Sequence, residues 1–315
     1  MRCLLIGNYG TGNLGDEALK EYFLTRFPTV EWTVLSASPQ GHGDVPRLPF
    51  GIRSLLTTPW WRSLGALRRC DAVVFGGGSL FTDIESGTAC LLWWWHAFVA
   101  RIYGKPVLLA FQGIGPFRTA VGEWCAGDVL KRAVFVSVRD EESGRRARGR
   151  ARARIIVSFD PVLVQLTAER VQSSGSILGV IPRQNSGEEF RRLVMASVAR
   201  DSPQSVRILS MQPESSSERE FCDSLARDVG NKATIVAVRS LSELSRELAQ
   251  CSCVITARYH GALAALALGL PMEIVPQREG DKLDALRSVS RADVERLRTL
   301  VVEGEQELLK SLNML

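Results

Sequence analysis

Arg258-Tyr259-His260-Gly261 sets a guanidinium and an imidazole two residues apart, directly before the alanine-rich run Ala262-Leu263-Ala264-Ala265-Leu266-Ala267. A helix N-terminus offers unpaired N–H groups and the positive end of the helix dipole, so such side chains placed there make a site for a dianion. Of the three histidines, His42, His96 and His260, only His260 stands at a junction of this kind. Its ordinary pKa near neutrality suits acid/base work; the plainer reading is a histidine that caps the helix. Arg183, delivered by Gly179-Val180-Ile181-Pro182, and Lys282, in Gly280-Asp281-Lys282, would add further cations. Arg139, in Val138-Arg139-Asp140, reads either as an anion contact or as a structural partner of Asp140.

A second group of candidates is rich in glycine. The stretch from Gly7 to Asp16, GNYGTGNLGD, contains a formal G-x-G-x-x-G after the apolar run Cys3-Leu4-Leu5-Ile6. A dinucleotide site also needs an acidic residue at the end of the second strand, and Val34-Leu35-Ser36-Ala37-Ser38 has none. Asp16 would stand beside the helix N-terminus where a pyrophosphate must sit, and would repel it. A tight turn capped by Asp16 accounts for Gly15 and Asp16 but leaves Asn8, Tyr9 and Asn13 without a role. Gly76-Gly77-Gly78-Ser79 follows the apolar run 72–75; consecutive glycines there let a ligand approach exposed N–H donors. Gln112-Gly113-Ile114-Gly115-Pro116 closes the next strand in the same way.

These candidates share one placement, the carboxyl end of a strand. Short, nearly continuous apolar runs at 2–6, 32–35, 72–75, 107–111, 134–138 and 155–157 alternate with helical patterns at 16–27, 60–69, 86–103 and 140–147. Strands apolar on both faces, separated by helices, imply parallel sheets covered on both sides. A linker-like stretch at 172–176 precedes a second series, with strands at 177–181, 206–211, 234–238, 254–256 and 273–275. Its helices fall at 188–200, 217–229, 241–250 and 261–268, and an apolar stripe over 291–312 predicts a closing helix. The expected fold is α/β, with two Rossmann-like doubly wound domains, residues 1–172 and 173–315, facing a cleft. The closing helix is assigned to the second domain. In such sheets ligands bind at the carboxyl ends of the strands.

Bulk properties exclude several classes. The chain has 315 residues, 45% hydrophobic and 23% charged, with a formal net charge of +5. That is a globular composition with no demand for nucleic acid as a partner. Seven cysteines without framework spacing read as reduced thiols in a cytoplasmic compartment. No signal peptide is read at the N-terminus, and the most apolar window, 88–103, holds His96 and Arg101 and is too short to span a bilayer. No spacing of histidines, cysteines or carboxylates suggests a metal.

The pieces GNYGTGNLGDEA, FGGGSLF, GKPVLLAFQGIGP, VSVRDEES, FDPV and ARYHGALAALALGLP occur in order from residue 5 to about 285. Together they resemble the polysaccharide pyruvyl transferase family, in particular the CsaB-like enzymes of bacterial cell-wall polysaccharide synthesis. Tyr259 departs from the leucine of many relatives. The resemblance implies a GT-B-like pair of domains and transfer of an enolpyruvyl unit from phosphoenolpyruvate to a sugar, giving a pyruvate ketal. Phosphoenolpyruvate is then a co-substrate and no cofactor is implied. In CsaB-like members the acceptor is a lipid-linked glycan precursor and the product anchors S-layer proteins.

On this expectation the family's R-x-H-G element, which contributes to donor binding, falls on Arg258, His260 and Gly261. Arg183, Lys282 and Arg139 would complete a cationic donor pocket. Asn8, Tyr9, Asn13, Gly77, Gly78 and Gln112 would line the acceptor side. The chemistry asks for an acid at the donor's C3 and a base at each attacking hydroxyl; His260 and Asp16 are the candidates. A nucleotide-sugar glycosyltransferase on the same scaffold is the main rival, with Glu273 and Glu279 as carboxylates that would grip a ribose. A silent sugar-binding protein would be expected to have lost the cations at the strand ends.

Two conspicuous stretches remain. Trp93-Trp94-Trp95 reads as core under a helix, with contact to lipid or a second subunit as the alternative. The run 145–154 holds six arginines in ten residues. By default it is a solvated connection, and the alternative is attraction to anionic headgroups at the inner face of the membrane. Association with a second copy is left open.

Overall fold

The computed structural model describes residues 1–41, 43–84, 86–166, 176–277 and 282–315. The chain forms two compact units, one of Met1–Thr11, Asp16–Pro161 and Leu297–Leu315, the other of Gly12–Gly15 and Val162–Arg296.

The first unit is built from β1 (Arg2–Ile6), α1 (Leu14–Arg26), β2 (Glu31–Ser36), β3 (Val45–Pro46), α2 (Ile52–Thr57), α3 (Trp61–Arg69), β4 (Ala72–Gly76), α4 (Ala89–Ile102), β5 (Val107–Gln112), α5 (Ala120–Arg132), β6 (Phe135–Val138), α6 (Glu141–Ala147) and β7 (Ile155–Val157). The strands form one seven-stranded sheet in the order β3-β2-β1-β4-β5-β6-β7. Every pairing is parallel, with Ile6 opposite Leu35 on one side and Phe75 on the other. Leu4, Leu5, Val73, Val74, Leu108 and Leu109 are all buried, as a sheet covered on both faces requires.

β3, α2 and α5 have no counterpart among the expected elements. The buried stripe of α5 is Gly122, Cys125, Ala126, Val129 and Leu130; small residues fill much of it, so its apolar periodicity is weak. Thr119 caps this helix by accepting from Gly122 N at 3.0 Å. In β5 the register slips between Leu109 and Gln112, where Phe111 takes φ 55° and donates its N–H to Ser137 Oγ at 2.8 Å. Trp93 is buried, and Trp94 and Trp95 pack partly buried against the same core, as the core reading expects. Trp94 Nε1 donates to Asp128 at 2.9 Å.

The second unit contains β8 (Ile177–Ile181), α7 (Glu188–Asp201), β9 (Ser205–Ser210), α8 (Ser216–Val229), β10 (Ala233–Ala237), α9 (Leu241–Ala249), β11 (Cys253–Thr256), α10 (Tyr259–Leu268) and β12 (Met272–Ile274). Its five strands are parallel in the order β10-β9-β8-β11-β12. Leu178, Val180, Val206, Ile208 and Ile255 form its core with Phe190 and Val194 of α7 and Cys222 and Leu225 of α8.

One boundary differs from expectation and another cannot be compared. The division expected at 172–173, with its linker, lies outside the described residues. The closing helix α11 (Val294–Asn313) leaves the second unit at Leu297 and completes the first. Glu305 accepts from Tyr22 Oη at 2.7 Å and from Arg26 Nη2 at 2.7 Å, and Ser158 Oγ donates to the Leu300 carbonyl at 2.7 Å. The apolar face of α11 is spent on the first sheet, with Val301 and Leu308 wholly buried. Among the described residues no helix is long and apolar enough to cross a membrane.

Candidate functional site

In each sheet the strand order reverses once. In the first, the chain leaves β1 toward β2 and later leaves β4 toward β5, although β1 and β4 are neighbours. Loops at such a switch point diverge and open a crevice at the carboxyl ends of the strands. Here these are the loop after Ile6 and the glycine loop after β4.

Gly77 and Gly78 have φ of 74° and 78°, a left-handed backbone that disfavours other residues. Gly77 N donates to the Ala110 carbonyl at 2.8 Å. Gln112, expected on the acceptor side, is instead wholly buried beneath this loop, its Nε2 donating to the carbonyls of Phe75 at 3.0 Å and Gly77 at 3.1 Å. It holds the loop and offers a ligand no accessible atom. Tyr9 is likewise core: it is 1% exposed and its hydroxyl donates to the Gly76 carbonyl at 2.6 Å. Burial, aided by Asp16 and Glu17, pushes its phenol well above the usual value, so it stays protonated as a donor.

Asp16, in the first turn of α1, faces this loop: a methyl group built on Gly78 would lie 3.7 Å from its Oδ1. Its other oxygen accepts from Asn8 Nδ2 at 2.8 Å. Asn8 Oδ1 in turn accepts from Arg47 Nη2 at 3.0 Å, fixing the orientation of the amide. Arg47 also donates to the Gly7 and Tyr9 carbonyls, each at 3.3 Å, and lies 5.0 Å from the centroid of the Trp93 ring. Burial lowers the Arg47 pKa, and Asp16 and Glu17 oppose that shift. Arg47 is the residue the sequence reading missed. It follows a two-residue strand in the proline-containing segment VPRLPF, which carries no periodic signal. The next residue, Leu48, donates its N–H to His96 Nε2 at 3.2 Å, while His96 Nδ1 bonds the Leu92 carbonyl at 2.8 Å. That wholly buried ring is neutral, its pKa lowered by burial to about 4.

Arg139 takes the structural role among its two readings. It is 2% exposed, donates to Ser79 Oγ at 2.7 Å, and lies 3.5 Å from buried Asp160 and 3.6 Å from Asp140. Its charge is matched within the first unit by two carboxylates.

In the second unit the switch lies between β8 and β11. Arg258, 6% exposed, is paired with Glu218 of α8, whose carboxylate is wholly buried. It donates also to Gln212 Oε1 at 2.9 Å and to the Pro182 carbonyl at 3.2 Å. Glu218 accepts in addition from Ser210 Oγ at 2.9 Å and Gln212 N at 2.7 Å. Arg258 therefore clamps the loops after β8, β9 and β11, and its charge is cancelled rather than presented. Gly261 is a packing glycine: a methyl there would stand 2.7 Å from Ile181 and 2.8 Å from Thr256.

His260, half-buried on the first turn of α10, meets Tyr259 edge-on with ring centroids 5.4 Å apart. It also packs against Gly15 of the Gly12–Gly15 segment that belongs to this unit, too closely for any side chain at position 15. In the same segment Asn13 Oδ1 accepts from Gly15 N at 3.0 Å and caps α1. Arg183 is half-buried beside Pro182, its backbone N–H donating to Ser186 Oγ at 2.9 Å. Lys282 opens a short 3-10 helix, Lys282–Leu286. The structure thus brings Asn8, Asp16 and Gly78 together in one unit, and Arg183, Arg258, His260 and Gly261 in the other.

Solved structures of similar fold include complexes with UDP-sugars. HepE from Anabaena in complex with UDP-glucose matches with a TM-score of 0.65 at 13% identity, over 100% of both chains. UDP-GlcNAc 2-epimerase from Neisseria meningitidis matches at 0.62 and 13%, over 98% of this chain and 92% of that one. Sucrose-phosphate synthase from Thermosynechococcus elongatus matches at 0.53 and 13%, over 100% and 97%. These likenesses define a GT-B-like fold of two parallel-sheet α/β domains. No curated protein matches the chain by sequence. The family model for polysaccharide pyruvyl transferase matches residues 13–272. The chain belongs to that family.

Proposed function

We propose that this protein transfers a pyruvyl group from phosphoenolpyruvate to two hydroxyls of one sugar in a glycan precursor. The family match across residues 13–272 carries the reading. The two switch-point loops supply residues suited to the chemistry. A proton is added to C3 of the donor, C2 becomes oxocarbenium-like, and a sugar hydroxyl attacks it. A second hydroxyl of the sugar then replaces the phosphate at C2 and closes the ketal. The two hydroxyl protons balance, one appearing in the new methyl group and one on the released phosphate.

Asp16, oriented by Asn8 and thus by Arg47, is the base for an attacking hydroxyl. His260 is the acid toward C3, and Arg183 and Lys282 are the cations for the donor's phosphate and carboxylate. The backbone at Gly77 and Gly78 forms the wall against which the acceptor lies, and Asn13 caps α1. Arg258 and Gly261 act as positioning residues that hold the first turn of α10. The acceptor is a lipid-linked precursor of the cell envelope and the enzyme works on the cytoplasmic side. The test is incubation with phosphoenolpyruvate and lipid-linked disaccharides. One phosphate should be released per glycan, whose mass should rise by one pyruvate less one water.

A second reading, transfer from a nucleotide sugar, is favoured by the UDP-glucose bound to the similar HepE structure. Of its two candidate carboxylates, Glu279 lies outside the described residues. Glu273 stands exposed in the middle of β12, within the field of Arg200 near the end of α7, and not at a carboxyl strand end. Calorimetric binding of UDP-glucose with indifference to phosphoenolpyruvate would establish this second reading over the first.

A further inference from the structure

The segment from Val45 to Cys70 contains no aspartate or glutamate. Within it, α2 buries none of its residues, and Ile52 and Leu56 are each 79% exposed. Phe50, Leu55 and Trp61 are exposed beside them. A six-residue helix is marginal on its own in water, where helices shorter than about 12 residues gain little, and this one has no core to lean on. α3, by contrast, seats Ser63, Ala66 and Leu67 in the interior. The apolar face of α2 therefore lacks a cover in the isolated chain.

Charge says what the cover is. Arg53, Arg62, Arg68 and Arg69 are all exposed, and among the described residues none of their guanidiniums forms an ion pair or hydrogen bond. In the louder arginine run four of the six are paired instead. Arg145 and Arg146 pair with Glu142, Arg148 with Glu141 and Arg150 with Glu123. A second copy docked symmetrically on the α2 face would bring like charges together, because a twofold interface sets one patch against itself. An anionic lipid surface meets both requirements, taking the aliphatic and indole groups into the headgroup boundary and the arginines among the phosphates.

We propose that residues 50–69 form a peripheral membrane-docking surface for anionic bilayers. This does not depend on the pyruvyl reading, because partition to vesicles is measured without turnover. The test uses the full chain with phosphatidylcholine vesicles, with and without phosphatidylglycerol. The protein should sediment with the anionic vesicles and not with the neutral ones. Arg53→Gln with Arg62→Gln should weaken binding roughly thirtyfold. Leu55→Ser with Leu56→Ser should weaken it at least about tenfold, with an unchanged thermal melt because both side chains are exposed. Brominated lipid should quench tryptophan emission, and Trp61→Phe should remove that quenching. Arg145→Gln with Arg148→Gln should leave binding unchanged. Equal binding to both vesicle types, or loss on changing Arg145 and Arg148 alone, overturns the proposal. It is equally overturned if the α2 substitutions dissociate an oligomer while the unaltered protein ignores vesicles.

Discussion

Arg47 and Arg258 each reach the loop that leaves the first strand of their own sheet, Arg47 to the Gly7 carbonyl after β1 and Arg258 to the Pro182 carbonyl after β8. They are held in opposite ways. Arg258 is set against a buried carboxylate, so the pair is neutral and its work is architectural. Arg47 is set against carbonyls, an amide oxygen and a tryptophan face, and its charge acts on Asp16 through Asn8. Similar places in two similar folds thus give one arginine that fixes a loop and another that orients a carboxylate. What surrounds the guanidinium decides which, and the residue type does not.

The largest effect expected from this contrast is chemical. Asp16→Asn should cut turnover by ~10²–10⁴ while the melting curve hardly moves, since an amide oxygen can still accept from Asn8. His260→Gln should do the same from the second unit. Near-normal phosphate release from either variant removes that residue from acid/base work.

Glu218→Gln should be the most destabilising single change at the Arg258 clamp. It strands a buried guanidinium, a loss of about 3–5 kcal/mol that a urea titration would show. A midpoint shift as small as that of an exposed pair would mean that the clamp is solvated.

His96 probes the Arg47 side by pH. Its ring is neutral in the fold and titrates at about 4, against an ordinary 6.5. Unfolding therefore takes up a proton between those values, and stability falls as the pH is lowered through that window, by about 3 kcal/mol at most. Above pH 6.5 this contribution is flat. His96→Gln should flatten the acid limb of the stability curve.

Arg47→Ala is the mildest of the series, at about 2 kcal/mol for lost charged hydrogen bonds and the ring contact. It should lower kcat more than it changes the KM for phosphoenolpyruvate, because Asn8 then loses its fixed orientation. A change confined to that KM would place Arg47 in the donor pocket.

The strands could be read closely from sequence because parallel strands buried on both faces are nearly continuous apolar runs; β1, β7 and β8 coincide with their expected ranges. Helix α5 could not be, since Gly122, Cys125 and Ala126 fill its buried face. That Asn8, Asp16 and Gly78 lie together was legible because a glycine turn with unexplained polar residues is itself a signal. Tyr9 and Gln112 were misread for the same reason. Polar groups that serve the loop's own backbone look, in sequence, like groups awaiting a ligand. The pairing of Arg258 was not legible because Glu218, its partner, lies 40 residues away along the chain. Arg47 went unseen because no periodicity marks a two-residue strand.

The return of α11 to the first sheet has a practical consequence for anyone dividing this protein. A single scission between Pro161 and Val162 would leave an amino-terminal fragment without the carboxylate that receives Tyr22 and Arg26. The carboxy-terminal fragment would carry a stranded tail whose apolar stripe has lost its seat. Autonomous halves require the tail to be spliced back onto residues 1–161, as in a circularly permuted gene.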